Sequence, residues 1–276
     1  MPAKSVPDRP RGFLIPIGGA EDKIGDTKIL KRFVRLCGRR PSIAIIPTAS
    51  RRDDAGRVYQ DLFSGFEASD TRVLQFARRE DCEDPDALNV LSQCDGVFIT
   101  GGNQLRLSTL LGGTPVARML RRRHAAGMPI AGTSAGAAIM PAHMIAGGEE
   151  GATPRAGMVS LAPGLGLSNK IMIDQHFRQR DRIGRLLTAL ALNPFALALG
   201  IDEDTAAFIG PDNVIEVVGS STVLVLDPSE VRHSTMAEAS HGEAVSITNV
   251  RLHILIPGMR YDIAAQAWAS RAYAMG

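Results

Sequence analysis

Residues Gly127–Met140 read GMPIAGTSAGAAIM, and the way this stretch changes texture part-way decides the architecture around it. Its first half, GMPIAG, is a short apolar run of strand type. Its second half, AGAAIM, has the composition of the first turns of a helix, stopped near Pro141. Ser134 stands where the two meet, at a sharp strand-to-helix turn. Such a turn lifts the hydroxyl above the sheet and aims the following backbone N–H groups at whatever lies there. Gly132 and Gly136 leave room for a tight elbow, and Ala135, Ala137 and Ala138 let the new helix approach the sheet closely. The bland alternative is a Gly/Ser turn without chemistry, because G-x-S-x-G in a glycine-rich chain is a weak pattern alone.

The same alternation extends in both directions. The apolar runs GFLIPIG, SIAIIPT, RVLQF, GVFIT, MPIAGT, KIMID and ALALGID are spaced by amphipathic stretches such as DTKILKRFVRLCG, RVYQDLFSGF and PVARMLRRRHAAG. Continuous apolar strands separated by helices predict an α/β fold, a mostly parallel sheet with helices on both faces. The site is then expected at the carboxyl ends of the strands. After Gly200 the chain turns β-rich, with AAFIG, NVIEVVG, TVLVLD and EAVSITNVRLHIL as strand-like runs. We read residues 1–11 as a flexible arm and residues 12–276 as one domain with a β-rich C-terminal extension.

A formal net charge of +2 is too small to make nucleic acid or an anionic membrane the main partner. No run approaches the length of a membrane span, and the first residues lack the apolar core of a signal peptide, so the expected location is the cytoplasm. Cys37, Cys82 and Cys94 are few and widely spaced, which fits buried, inert thiols rather than a disulfide scaffold or a zinc site.

A serine hydroxyl needs a base, and the base an orienter. Of the six histidines, His176 in IMIDQHFRQRDR directly follows a strand and so shares the catalytic edge with Ser134. His124 and His143 lie in polar or helix-end contexts, His233 and His241 in a loop-like stretch, and His253 within a strand. The acid is expected from LALGIDEDTA, where periodicity leaves Asp202, Glu203 and Asp204 open. The order Ser, His, acid differs from that of α/β-hydrolases, which would require His233, His241 or His253 instead. For the oxyanion, the backbone N–H groups of Gly102, in FITGGNQ, and Ala135 are the candidate donors. This chemistry calls for no metal and no organic cofactor.

The run DQHFRQRDRIGRLLTALALNP continues from a strand end into a helix whose buried stripe is expected at Ile183, Leu186, Leu187 and Leu190. Arg178, Arg182 and Arg185 then share a polar side, with Arg180 pointing elsewhere. Four arginines directly after the candidate base suit a carboxylate pocket, the alternative being a solvated helix face.

Five motifs in this order, PIGGAEDK, TGGNQ, GTSAGAAIM, DQHFRQRDR and GIDEDTA, resemble those of the cyanophycinase family, serine exopeptidases related to peptidase E. The resemblance runs from about Gly12 to the closing VRLHILIPGMRYDI. It implies a class I glutamine-amidotransferase-like (flavodoxin-like) sheet with Ser134 as nucleophile, His176 as base and Glu203 as orienting acid. Gln104, Asp174, Gln175, Arg180, Arg182 and Arg185 would line the substrate pocket. The implied substrate is cyanophycin, a polyaspartate carrying arginine on its side chains, cut from a chain end to β-aspartyl-arginine, and the implied assembly is a homodimer. The rival readings are an α-aspartyl dipeptidase of the same fold and a non-catalytic binding protein that has kept the elbow serine.

Overall fold

The computed structural model describes residues 1–4 and 9–269; residues 5–8 of the expected arm and residues 270–276 lie outside the described residues. Five apolar runs pair in parallel in the order β1-β5-β4-β2-β3: β1 (Leu14–Ile17), β2 (Ser42–Ile46), β3 (Asp70–Val73), β4 (Gly96–Ile99) and β5 (Ile130–Thr133). β1, β4 and β5 are buried at every position, which requires cover on both faces. On one face α1 (Lys28–Cys37) and α2 (Ala55–Gly65) set Leu30, Phe33 and Phe63 against Ile15, Ile43 and Phe98. On the other lie α3 (Pro85–Gln93), α4 (Gln104–Leu111), α5 (Pro115–Ala125) and the single turn α6 (Ala135–Ala138). There Leu91, Leu107 and Leu120 meet Ala44, Val97 and Ile130. The starts of these helices are written in the sequence. Asp84 and Thr114 cap α3 and α5 with a proline at the first helical position, and Asn103 caps α4.

The second half of the chain comprises a hairpin, β6 (His143–Gly148) and β7 (Val159–Pro163), then β8 (Ile171–Gln175), α7 (Ile183–Leu192), β9 (Leu197–Ile201), β10 (Thr205–Ile209), β11 (Val214–Gly219) and β12 (Val223–Asp227). It closes with β13 (His233–Ser234), β14 (Ile247–Thr248), β15 (Arg251–Leu255), β16 (Arg260–Asp262) and β17 (Ala267–Ala269). β10, β11, β16 and β17 extend the first sheet beyond β1 in antiparallel fashion.

β8 and β9 do not join that sheet. They pair in parallel with each other and, with β12 and β15, form a separate four-stranded sheet in the order β15-β12-β9-β8. KIMID and ALALGID were expected in the parallel sheet with the rest. Their apolar character is explained by cover of a different kind. Ile171, Ile173, Leu199 and Ile201 face the side of the first sheet that carries Ala207, Ile215 and Val217. α7 covers Met172 and Ala198 from outside with Leu186, Ala189 and Leu190. A strand buried between a sheet and a helix reads like one buried between two helices.

Three local expectations change as well. RVLQF is strand only as far as Val73, the strand beginning at Asp70 to match the start of β2 at Ser42. EAVSITNVRLHIL is two strands rather than one, because Asn249 between them adopts φ +61°. AGAAIM makes one helical turn only. Cys82 and Cys94 are buried, Cys37 is half-buried and all three are free; burial pushes the Cys94 thiol up to about 11. Among the described residues no helix is long and apolar enough to cross a membrane.

Candidate active site

The carboxyl ends of β1, β4 and β5 in one sheet and of β8 and β9 in the other converge on a single spot. Ser134 leaves β5 with φ +53°. Its turn is as tight as the glycines implied: a Cβ on Gly132 would crowd the Gly136 carbonyl, and one on Gly136 would overlap the Ile99 carbonyl. His176 leaves β8 with φ +48°, and Asp204, three residues past β9, has φ +46°. A left-handed non-glycine residue costs about 1–3 kcal/mol. Three of them at converging strand ends mean that the surrounding contacts hold the backbone there.

Those strand ends bring together side chains far apart in sequence. Ser134 Oγ lies 2.9 Å from His176 Nε2, and His176 Nδ1 lies 2.6 Å from Glu203 Oε1. A proton on Nδ1, held towards the carboxylate, leaves Nε2 free to accept from the serine hydroxyl. The three acids left open by periodicity have different partners. Asp202 is buried and accepts from Ser221 Oγ (2.7 Å), Thr222 Oγ1 (2.7 Å) and the Arg178 amide (3.1 Å). Asp204 accepts from the Asp22 amide at 2.9 Å. Glu203 is the one that faces the imidazole, and its own amide donates to Gln179 Oε1 at 3.2 Å.

The Gly101–Gly102 turn closes the other side. Gly102 has φ +143°, and a side chain there would overlap the Ala49 carbonyl; a Cβ on Gly101 would stand 3.8 Å from Ser134 Oγ. The Ala135 amide opens α6, where a helix leaves its first N–H groups without partners in the helix. Both candidate oxyanion donors therefore belong to turns that border the hydroxyl.

The arginines are disposed differently from the expected polar helix face. Arg178 and Arg180 sit exposed on a 3₁₀ turn (Arg178–Arg180), with the Arg180 amide donating to the His176 carbonyl at 3.2 Å. Arg182 and Arg185 are buried instead, with side chains 7% and 4% exposed, while Ile183 and Leu187 are only half-buried. Asp174, on β8, explains the inversion. Arg185 clamps it through Nε (2.6 Å) and Nη2 (2.5 Å), and Arg182 Nη1 lies 3.4 Å from the same carboxylate. Arg182 Nη1 also donates to the Gln175 carbonyl and to Gln175 Oε1 (3.2 Å). Two guanidiniums on one carboxylate leave a surplus positive charge indoors. Burial pushes Arg182 down to about 10, against the opposing pull of Asp174, and its Nε has no partner among the described residues. Gln104, at the start of α4, donates to the Ala146 carbonyl at 3.0 Å and so ties this rim to β6.

The chain has relatives among known proteins. The family model for peptidase family S51 matches residues 13–217. The chain belongs to peptidase family S51. It is 42% identical over 270 residues to the cyanophycinase of Trichormus variabilis, covering 95% of this chain and 91% of that protein. It is 41% identical to the cyanophycinase of Synechococcus elongatus (92% and 80% covered) and 42% to that of Geminocystis herdmanii (91% and 94%). The crystal structure of a peptidase from an acI-B1 actinobacterium superposes with a TM-score of 0.70 at 18% identity, covering 92% of this chain and 98% of that one, and so shares the fold. As a family S51 member the chain is a hydrolase acting on peptide bonds, built on the α/β sheet expected from its sequence.

One group at this site was missed by the sequence reading. Glu21, in PIGGAEDK, is buried beside β5, where it accepts from Thr133 Oγ1 and Tyr59 Oη and pairs with Lys23 Nζ at 2.9 Å. Its sequence signal is slight: an acid two residues after the Gly18–Gly19 pair at a strand end. Of the remaining histidines, His124 is buried in α5, where burial pushes it down to about 4. His253 is half-buried on β15, its ring tilted against Tyr261 at a centroid distance of 5.2 Å.

Proposed function

We propose that this protein is a cyanophycinase, a serine-type exopeptidase that releases β-aspartyl-arginine from a chain end of cyanophycin. The observation that carries the reading is the hydrogen-bonded chain Ser134–His176–Glu203 in a protein 41–42% identical to cyanophycinases over nine-tenths of its length. Ser134 Oγ attacks a main-chain carbonyl while His176 Nε2 takes its proton, and Glu203 holds the imidazole in the tautomer that can do so. The Gly102 and Ala135 amides receive the charge that develops on the carbonyl oxygen. His176 then protonates the leaving amine, and a water, deprotonated by the same nitrogen, hydrolyses the acyl-enzyme.

Each cyanophycin unit ends in the free carboxylate of its arginine. The surplus positive charge of Arg182 and Arg185 beside Asp174 is suited to that carboxylate, with Gln104, Gln175 and Arg180 at its rim. In this reading Asp174 serves by holding the two arginines in place, since its oxygens are already engaged. The 41–42% identity to cyanophycinases supports this substrate over α-aspartyl dipeptides.

The test is incubation of the protein and its Ser134→Ala variant with insoluble cyanophycin, with soluble products read by mass spectrometry. β-Aspartyl-arginine from the wild type alone is the expected outcome. Hydrolysis of α-aspartyl dipeptides with the polymer left intact would reject the substrate assignment.

A further inference from the structure

We infer that Glu21 is a positioning residue for the nucleophile, and that the turn Gly18–Asp22 after β1 is the joint that registers Ser134, His176 and Glu203 against one another. The inference rests on the reading of Ser134 as nucleophile. Ser134 follows a strand of one sheet, while His176 and Glu203 follow the paired strands β8 and β9 of the other, so no ladder of strand hydrogen bonds fixes the serine relative to the base and the acid. The turn reaches all three. Its Gly18 carbonyl accepts from the His176 amide at 2.8 Å, and its Gly19 carbonyl accepts from the Asp204 amide, next to Glu203, at 2.8 Å. The Asp22 amide returns a bond to Asp204 Oδ1 at 2.9 Å. A Cβ on Gly19 would strike the His176 imidazole, which shows how closely the turn backs the base.

Ser134 is already joined to the end of β1, its amide donating to the Ile17 carbonyl at 3.0 Å, and Glu21 adds a side-chain tie from the turn. Its side chain is 1% exposed, and Oε2 accepts from Thr133 Oγ1 at 2.5 Å. Thr133 is the last residue of β5, so this bond grips the backbone one residue before the strained φ of Ser134. Oε1 is held by Tyr59 Oη from α2 and by Lys23 Nζ, whose ammonium also lies 5.3 Å from the Tyr59 ring centroid. A buried carboxylate is costly unless its oxygens are engaged, and here every partner is part of a wall behind the serine turn. Touching neither the hydroxyl nor the imidazole, Glu21 acts through Thr133.

Paired substitutions at Thr133 separate this role from packing. Thr133→Val keeps the shape and loses the hydroxyl, whereas Thr133→Ser keeps the hydroxyl and loses a methyl. Rates are measured on a soluble cyanophycin fraction and on an activated aspartyl ester, with melting temperature alongside. Thr133→Val should lower kcat about tenfold or more with KM within twofold, as small misplacements of a reacting group do. Thr133→Ser should stay within about threefold of wild type, and Glu21→Ala should lower kcat at least as far as Thr133→Val. The reverse order, with the valine variant active and the serine variant impaired, overturns the inference, as does a loss of rate that merely follows the melting temperature. Wild-type protein that hydrolyses the ester but not the polymer would overturn the substrate reading alone, leaving the order of the variants on the ester to decide this one.

Discussion

At the scale of single residues, three consecutive acids in the turn after β9 have been given three different tasks, and their surroundings make the tasks separable. Glu203 has a side chain 36% exposed and its one side-chain partner is the His176 imidazole; Asp202 is 1% exposed and bound by hydroxyls and an amide on several sides. Glu203→Gln removes the charge that stabilises the imidazolium and leaves the fold untouched. It should lower kcat by about 10²–10⁴ with an unchanged melting temperature, in keeping with the loss of an orienting acid. Asp202→Asn replaces an acceptor of several hydrogen bonds with an amide that must donate as well. It should cost about 1–3 kcal/mol of stability and leave most of the rate in whatever fraction is folded. Equal losses of kcat for the two, at equal stability, would undo the assignment of Glu203.

At the scale of elements, the segment from β8 through α7 shows where the sequence could be read and where it could not. The strand, the helix and the placement of His176 between them follow from apolar runs and a stop at Pro194. What escaped the reading was which helix face is buried. Arg182 and Arg185 look like solvent residues because an isolated buried guanidinium is prohibitively unfavourable. The partner that offsets this cost, Asp174, sits on the preceding strand and is brought alongside only by the βα turn. Periodicity describes one element at a time and cannot register a charge supplied by its neighbour. The positive φ at Ser134, His176 and Asp204 was hidden for a related reason, since none is a glycine and each is held by a contact from the end of β1 or the turn after it. This arrangement predicts that Asp174→Ala leaves two buried cations uncompensated and destabilises the protein by about 3–5 kcal/mol in urea unfolding. A change under about 1 kcal/mol would mean that another acid compensates the arginines, contrary to the pairing with Asp174 described here.

At the scale of the whole molecule, the sequence contained the strands and their αβ alternation but not the division into two sheets. A β–α–β unit has the same signature whether its strands extend an existing sheet or found a new one. The division bears on the proposed function because it places Ser134 on one sheet and His176 on the other, with their hydrogen bond at the seam. Gly18 lies in that seam: a side chain there would overlap the Asp202 carbonyl, the backbone that follows β9, and would also crowd the Ile201 carbonyl. Neither contact is with the end of a flexible side chain, so relief requires the sheets to shift apart. Gly18→Ala should therefore separate Ser134 from His176 by a fraction of an ångström to an ångström and lower kcat by about 10²-fold. Its folded state should keep native secondary structure by circular dichroism, because each sheet retains its own hydrogen bonds. Gly65→Ala at the end of α2, where an added methyl meets nothing within 4 Å, is the matched control and should leave kcat at the wild-type value. Wild-type turnover in Gly18→Ala would show that the distance between nucleophile and base is set within one sheet after all, and that the seam is packing alone.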